Sequence, residues 1–185
     1  MIRPTRSDLI AAQNKTIPDV IAPGLRVLFC GINPGLYSGA TGHHFARPGN
    51  RFWPALQLSG ITEELVAPVE EKKLLGYGYG ITNLVARATA RADELAPEEL
   101  VEGRRRLLAK VERYEPAYVA ILGISAYRTA FVQRKAVVGP QPDPLGEAKV
   151  WVLPNPSGLN AHYQLPELAD HFRMLRKAAR REGEA

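Results

Sequence analysis

A three-layer α/β/α fold with a mostly parallel central sheet is predicted by three features of this 185-residue sequence. Short apolar runs alternate with segments of helical periodicity, the pattern of repeated strand–helix units. The runs, beginning with Val27-Leu28-Phe29-Cys30, are continuous rather than alternating, as strands buried on both faces should be. Polar segments follow the first, second and fourth runs, and right-handed crossovers would bring all three to one edge of the sheet.

Residues 1–22 read as an N-terminal arm and residues 23–185 as one domain. In the arm, residues 7–12 suit a short helix capped by Ser7. Pro18 and Pro23-Gly24 then break the chain, and Arg3, Arg6 and Lys15 read as charges on a solvated tail. Residues 26–32 form the first strand, residues 36–49 a long polar loop, and residues 50–58 a helix burying Phe52 and Leu56. A further helix is expected over 62–75 with Thr62 as its cap, then a turn at 76–80. The second strand spans 81–85; Thr82 and Asn83 make it more polar than a buried strand requires. After a second loop at 86–96, Pro97 opens a long helix ending near Tyr114, with Leu100, Leu107, Leu108 and Val111 on its buried stripe. Its arginines fall mostly outside that stripe and read as a solvated face. A third strand at 117–122, a short helix at 125–133, an irregular excursion at 135–147 and a fourth strand at 150–153 follow. The last helix, 165–180, buries Leu168, Phe172, Leu175 and Ala179.

Composition narrows the function. Hydrophobic residues make up 45% and charged residues 23% of the chain, ordinary for a soluble globular protein. No apolar run approaches a membrane span and the N-terminus lacks a signal-peptide core, so a cytoplasmic protein is expected. The one cysteine, Cys30, lies in the first strand and reads as a small buried apolar residue. It cannot supply the four thiolates of an iron–sulfur cluster. His43 and His44 are adjacent and lack helical ligand spacing, so neither a metal nor another cofactor is expected. The net charge of +5 is compatible with a polyanionic partner.

The stretch Gly31-Ile32-Asn33-Pro34-Gly35 stands out. Pro34 fixes its own φ and pushes Asn33 out of the α region, so the amide sits in a stiff turn at the carboxyl end of a strand, where open α/β sheets bind ligands. The loop that follows carries Tyr37, Ser38, His43, His44 and Phe45, and its length argues for function.

GINPG followed by S-x-x-T-G-x-x-F-A-x-P-x-N-R-F-W resembles the active-site segment of the mismatch-specific uracil-DNA glycosylases, the group that includes thymine-DNA glycosylase. Leu153-Pro154-Asn155-Pro156-Ser157-Gly158-Leu159 resembles that family's second motif, and the similarity spans residues 21–180. The resemblance implies a uracil-DNA glycosylase-like fold and a base-excision repair enzyme that works as a monomer without a cofactor. Its partner would be double-stranded DNA holding a mismatched or damaged pyrimidine. It would flip out and hydrolyse away uracil, and thymine or other damaged pyrimidines, leaving an abasic site. On that pattern Asn33 positions the attacking water and Phe45 stacks on the flipped base; beside them Ile32 and Ser38 are candidate base-binding residues, Ser38 by shaping the pocket or by contacting a phosphate. Asn155, Ser157, Gly158, Leu159 and Asn160 belong to the wedge loop that fills the gap in the duplex, with Leu159 as the plug. Relatives often carry an arginine just beyond; here the chain reads Asn160-Ala161-His162, which implies relaxed reading of the opposing base.

One expectation comes from the residues alone. The second loop carries Asp93 beside Arg87 and Arg91, and should reach the same edge as Asn33. A carboxylate is a better proton acceptor than an amide, so Asp93 is a candidate second catalytic residue, with Glu94 as its rival. The competing reading pairs Asp93 with an arginine or its own backbone. At the level of function, the alternatives are a non-catalytic nucleic-acid or nucleotide-binding module on a Rossmann-like sheet and a hydrolase of free nucleosides. No G-x-G-x-x-G signature supports the first, and the second has no use for a wedge loop.

Overall fold

The computed structural model describes residues 3–160 and 162–180. Five strands form one sheet in the order β2-β1-β3-β5-β4: β1 (Val27–Gly31), β2 (Tyr79–Asn83), β3 (Tyr118–Leu122), β4 (Gly139–Pro140) and β5 (Lys149–Leu153). All neighbours are parallel except β4, which runs antiparallel to β5 from within the excursion expected to be irregular. Side chains alternate across the sheet and both faces are covered. Phe29, Ile81, Ala120 and Trp151 pack with Phe52 and Leu56 of α3 (Phe52–Leu58) and Phe172 of α6 (Leu165–Ala178). Leu28, Cys30, Ile121 and Val152 pack with Leu107 and Val111 of α4 (Pro97–Tyr114) and Tyr127 of α5 (Ile124–Ala130). These are the expected three layers. Burial pushes the Cys30 thiol's pKa up, so it stays protonated and acts as an apolar filler.

Three local expectations are corrected. The N-terminal helix α1 (Arg6–Ala11) is capped by Thr5, not Ser7: the Asp8 N–H donates to Thr5 Oγ1 (3.2 Å) and the Thr5 N–H to Asp8 Oδ2 (2.8 Å). The loop after β1 contains a helix, α2 (Leu36–Thr41), closed by Gly42 in the left-handed conformation. No helix starts at Thr62. Its hydroxyl donates to the Glu64 carbonyl (2.8 Å) in a turn, and a 3-10 helix, Pro68–Tyr77, starts instead where proline is tolerated.

The arm is packed along its second half. Val20 pairs antiparallel with Ile81 of β2, and its own side chain is buried. Asp19 meets Lys110 Nζ (2.6 Å) and accepts from the Thr82 hydroxyl (2.8 Å), which accounts for a polar threonine inside β2. Arg3, Arg6 and Lys15 are exposed.

Helix α4 presses against the end of β2. A Cβ on Gly103 would lie 2.5 Å from the Leu84 carbonyl oxygen, so helix and backbone touch with no side chain between them. Gly103→Ala should therefore destabilise the fold by about 1–3 kcal/mol, outweighing the roughly 1 kcal/mol that alanine offers inside a helix. Urea denaturation of the two proteins checks the sign.

Candidate active site

The carboxyl ends of β1, β2 and β5 open into a cleft of about 580 Å³. Ile32, Asn33, Ser38, Phe45, Asp93, Asn155, Ser157 and Leu159, all anticipated from the sequence, line it together with Asn83, His44 and Thr89.

Asn33 is clamped. Its Nδ2 donates to the Arg87 carbonyl (3.0 Å) and to Thr89 Oγ1 (2.7 Å). A backbone carbonyl only accepts, and the Thr89 hydroxyl gives its own proton to the Arg91 carbonyl (2.7 Å), so both partners require the amide nitrogen here. The side-chain oxygen is left as an acceptor with no protein donor among the described residues. The clamp rests on a ladder that continues past the strands: Leu84, Val85 and Thr89 N–H groups donate to the Gly31, Ile32 and Pro34 carbonyls. Arg87 anchors its outer side by a two-pronged pair with Glu99 of α4 (2.7 and 2.8 Å). Hydrogen bonding to Arg87 holds the Glu99 carboxyl down at about 2.

Phe45 stacks on Phe52 (centroids 4.1 Å, planes 28°) and is half-buried. Its φ of +52° is unusual for a bulky side chain and costs about 1–3 kcal/mol. Neighbours hold that turn. Glu71 Oε2 accepts the His44 N–H (2.7 Å), Trp53 Nε1 donates to the His44 carbonyl (3.1 Å), and Ser38 Oγ accepts from the Ala46 N–H (3.3 Å). Ser38 thus shapes the loop. The His44 ring is buried and its pKa is depressed, chiefly by that burial.

Leu159 stands on a ridge. Asn155, Ser157 and Leu159 line both this cleft and a second one of about 830 Å³ on the ridge's other side. Leu159 is 74% exposed, a large apolar side chain offered to solvent. Turn bonds stiffen the loop: Asn155 Oδ1 accepts from Ser157 N (2.9 Å) and Asn160 Nδ2 donates to the Asn155 carbonyl (3.0 Å). Gly158 makes its close approach to this chain's own Gly49, whose carbonyl oxygen would be 2.6 Å from an added Cβ. Arg51 holds the loop from inside, its guanidinium donating to the carbonyls of Ser157, Tyr163 and Asn160, the last at 2.8 Å. Ala161 lies outside the described residues.

Asp93 sits on the rim, 66% exposed, with both carboxylate oxygens on Arg91 (2.9 Å each). Glu94 Oε1 accepts the Arg91 N–H (2.9 Å).

The model of the uracil DNA glycosylase superfamily matches residues 18–180. The chain belongs to that superfamily. A similar solved structure is a protein from Methanosarcina acetivorans whose solution NMR structure carries the provisional description uracil DNA glycosylase. It is 19% identical over 88% of this chain and 98% of its own, with a TM-score of 0.56, which speaks to the fold.

Membership gives the missed residues a context. Thr89 and Arg87 hold Asn33 from more than fifty positions away, a relation that spacing does not reveal. Asn83 shows in the sequence as misplaced polarity in β2, whereas Arg51, within the N-R-F-W stretch, carries no sequence signal of its bonds to the 157–160 loop. Thr89→Val keeps the shape but removes the acceptor for one Asn33 N–H, so single-turnover base release should fall about tenfold, the loss of one hydrogen bond. Thr89→Ser should restore most of it.

Proposed function

We propose that this protein is a monofunctional DNA glycosylase that flips mismatched uracil out of duplex DNA and hydrolyses its bond to C1′. The observation that carries the reading is the Asn33 amide, clamped through its nitrogen with its oxygen open to the cleft beside the Phe45 ring. Extruding a base costs a few kcal/mol, least at a mismatch. A stack on Phe45 returns about 1–3 kcal/mol. Leu159 enters the vacated place in the duplex, as apolar wedges do elsewhere. The Asn83 amide, at the cleft floor, meets the polar edge of the base.

The bond to C1′ then breaks heterolytically. The electron pair leaves with N1 of uracil, and the sugar passes through an oxocarbenium-like state. Asn33 Oδ1 accepts from a water and holds it against C1′; its contribution is orientation, since an amide is a poor base. Asp93 takes the water's proton once it is freed from Arg91. The pair is exposed, so a DNA phosphate can draw Arg91 away at small cost. Among the described residues no lysine lines the cleft, so none of them offers a Schiff-base nucleophile to the abasic sugar, and strand cleavage is not expected. The protein acts as a monomer, and thymine and other damaged pyrimidines are secondary substrates.

Base release from U·G, U·A and T·G duplexes, single-stranded uracil and free deoxyuridine tests the proposal. U·G should be fastest and free deoxyuridine inert; release from the free nucleoside alone would point to a nucleoside hydrolase. Leu159→Ala should slow duplex substrates more than single-stranded ones, and equal losses would remove its role as plug. Asp93→Ala should sharply lower single-turnover uracil release with DNA affinity nearly unchanged. A wild-type rate would leave Asn33 acting alone.

A further inference from the structure

We propose that His44 is a positioning residue that sets pyrimidine specificity, by fixing which way round the Asn83 amide faces the base. This rests on the reading of the cleft as a pyrimidine pocket. The chain of constraint begins in the N-terminal arm. His44 Nε2 lies 2.9 Å from the Pro18 carbonyl oxygen, which can only accept, so Nε2 carries the hydrogen. The ring is 2% exposed, and its burial outweighs the nearby Glu71 and Asp19 carboxylates in setting its charge, with the Lys110 ammonium adding to burial's effect. A neutral ring with its hydrogen on Nε2 has a lone pair at Nδ1.

That lone pair faces Asn83. Nδ1 is 3.4 Å from Asn83 Nδ2, a long contact but one whose sign is decided: a lone pair attracts an N–H and repels an oxygen. The amide nitrogen therefore turns to His44. Asn83 Oδ1 lies on the other side, over Gly31, 2.5 Å from where a Cβ would be. This leaves Oδ1 and the second N–H, an acceptor beside a donor, without protein partners among the described residues.

Uracil offers the complement, a donor at N3 beside the acceptor O4; cytosine offers an acceptor at N3 beside the N4 amino donor. The Phe45 stack and the bond to the sugar fix how the ring enters, so each amide atom meets a set position on the base. Accepting cytosine requires the amide to turn over and point Oδ1 at the Nδ1 lone pair of His44. A site built to hydrogen-bond one pattern rejects the other by leaving its own groups unpaired. The arm's carbonyl, the imidazole tautomer and the amide thus form a relay that selects uracil.

The test is His44→Phe, which keeps an aromatic ring and removes the Nδ1 acceptor. Uracil and cytosine, each opposite thymine in the same duplex, are compared under single-turnover conditions. The cytosine-to-uracil rate ratio should rise at least tenfold in the variant. If both rates fall by one factor and the ratio stays, His44 is only structural and the proposal is overturned. Nitrogen-15 NMR of the wild-type ring is independent of activity and of the variant's folding: it should show the hydrogen on Nε2, and a hydrogen on Nδ1 overturns the relay. If the wild-type protein releases no base from any duplex, the glycosylase reading fails instead, while the tautomer still decides whether the relay exists.

Discussion

The site depends on a missing side chain at the end of β1. Gly31 pairs in register with Asn83 of β2, and the space above it is taken by others. A Cβ there would lie 2.5 Å from Asn83 Oδ1 and 3.3 Å from the Phe45 ring. Only glycine lets an amide and an aromatic plane converge on the floor of the cleft. From that point an aromatic line runs back into the core, Phe45 on Phe52 at 4.1 Å and Phe52 against Phe29 at 5.4 Å. The floor of the cleft is thus the outer end of the hydrophobic core, and it inherits the core's rigidity.

The second support is backbone. Parallel strands usually diverge into independent loops, but here the segments after β1 and β2 stay zipped as far as Pro34 and Thr89. Asn33 therefore sits in an extension of the sheet, and its side chain is ordered before any substrate arrives. In the proposed reaction, preorganisation of this kind is what the amide would need in order to contribute, because it would orient water rather than activate it.

Much of this was legible in the sequence, and the failures have physical causes. Helix α4 runs Pro97–Tyr114 as read, because Pro97 marks its start and its apolar stripe is regular. The strand bearing Gly31 was clear from its continuous apolar run. The helix expected over 62–75 does not form because Pro68 begins a helix instead of sitting inside one, and Leu65 and Val69 are exposed rather than part of a buried stripe. Helix α2 was hidden by weak formers, Leu36-Tyr37-Ser38-Gly39-Ala40-Thr41, and exists because tertiary packing supplies what propensity does not. At the site, residue types were readable but partnerships were not. Asn83 and Thr82 were visible as polarity without a purpose; their partners, His44, Asp19 and Lys110, come from three other segments.

The arm's pairing with β2 also bears on how the molecule behaves in company. An open sheet has two margins, each a row of backbone groups that can recruit a strand from another chain. At one margin β4 spans only Gly139–Pro140, and proline has no N–H to offer. At the other, Val20 occupies the middle of β2, donating to and accepting from Ile81 at 2.9 and 2.7 Å. The arm is a selvedge, finishing the one margin long enough to fray into intermolecular β-structure. A chain trimmed past Val20 would expose that margin, and its first defect would be colloidal, a tendency to self-associate.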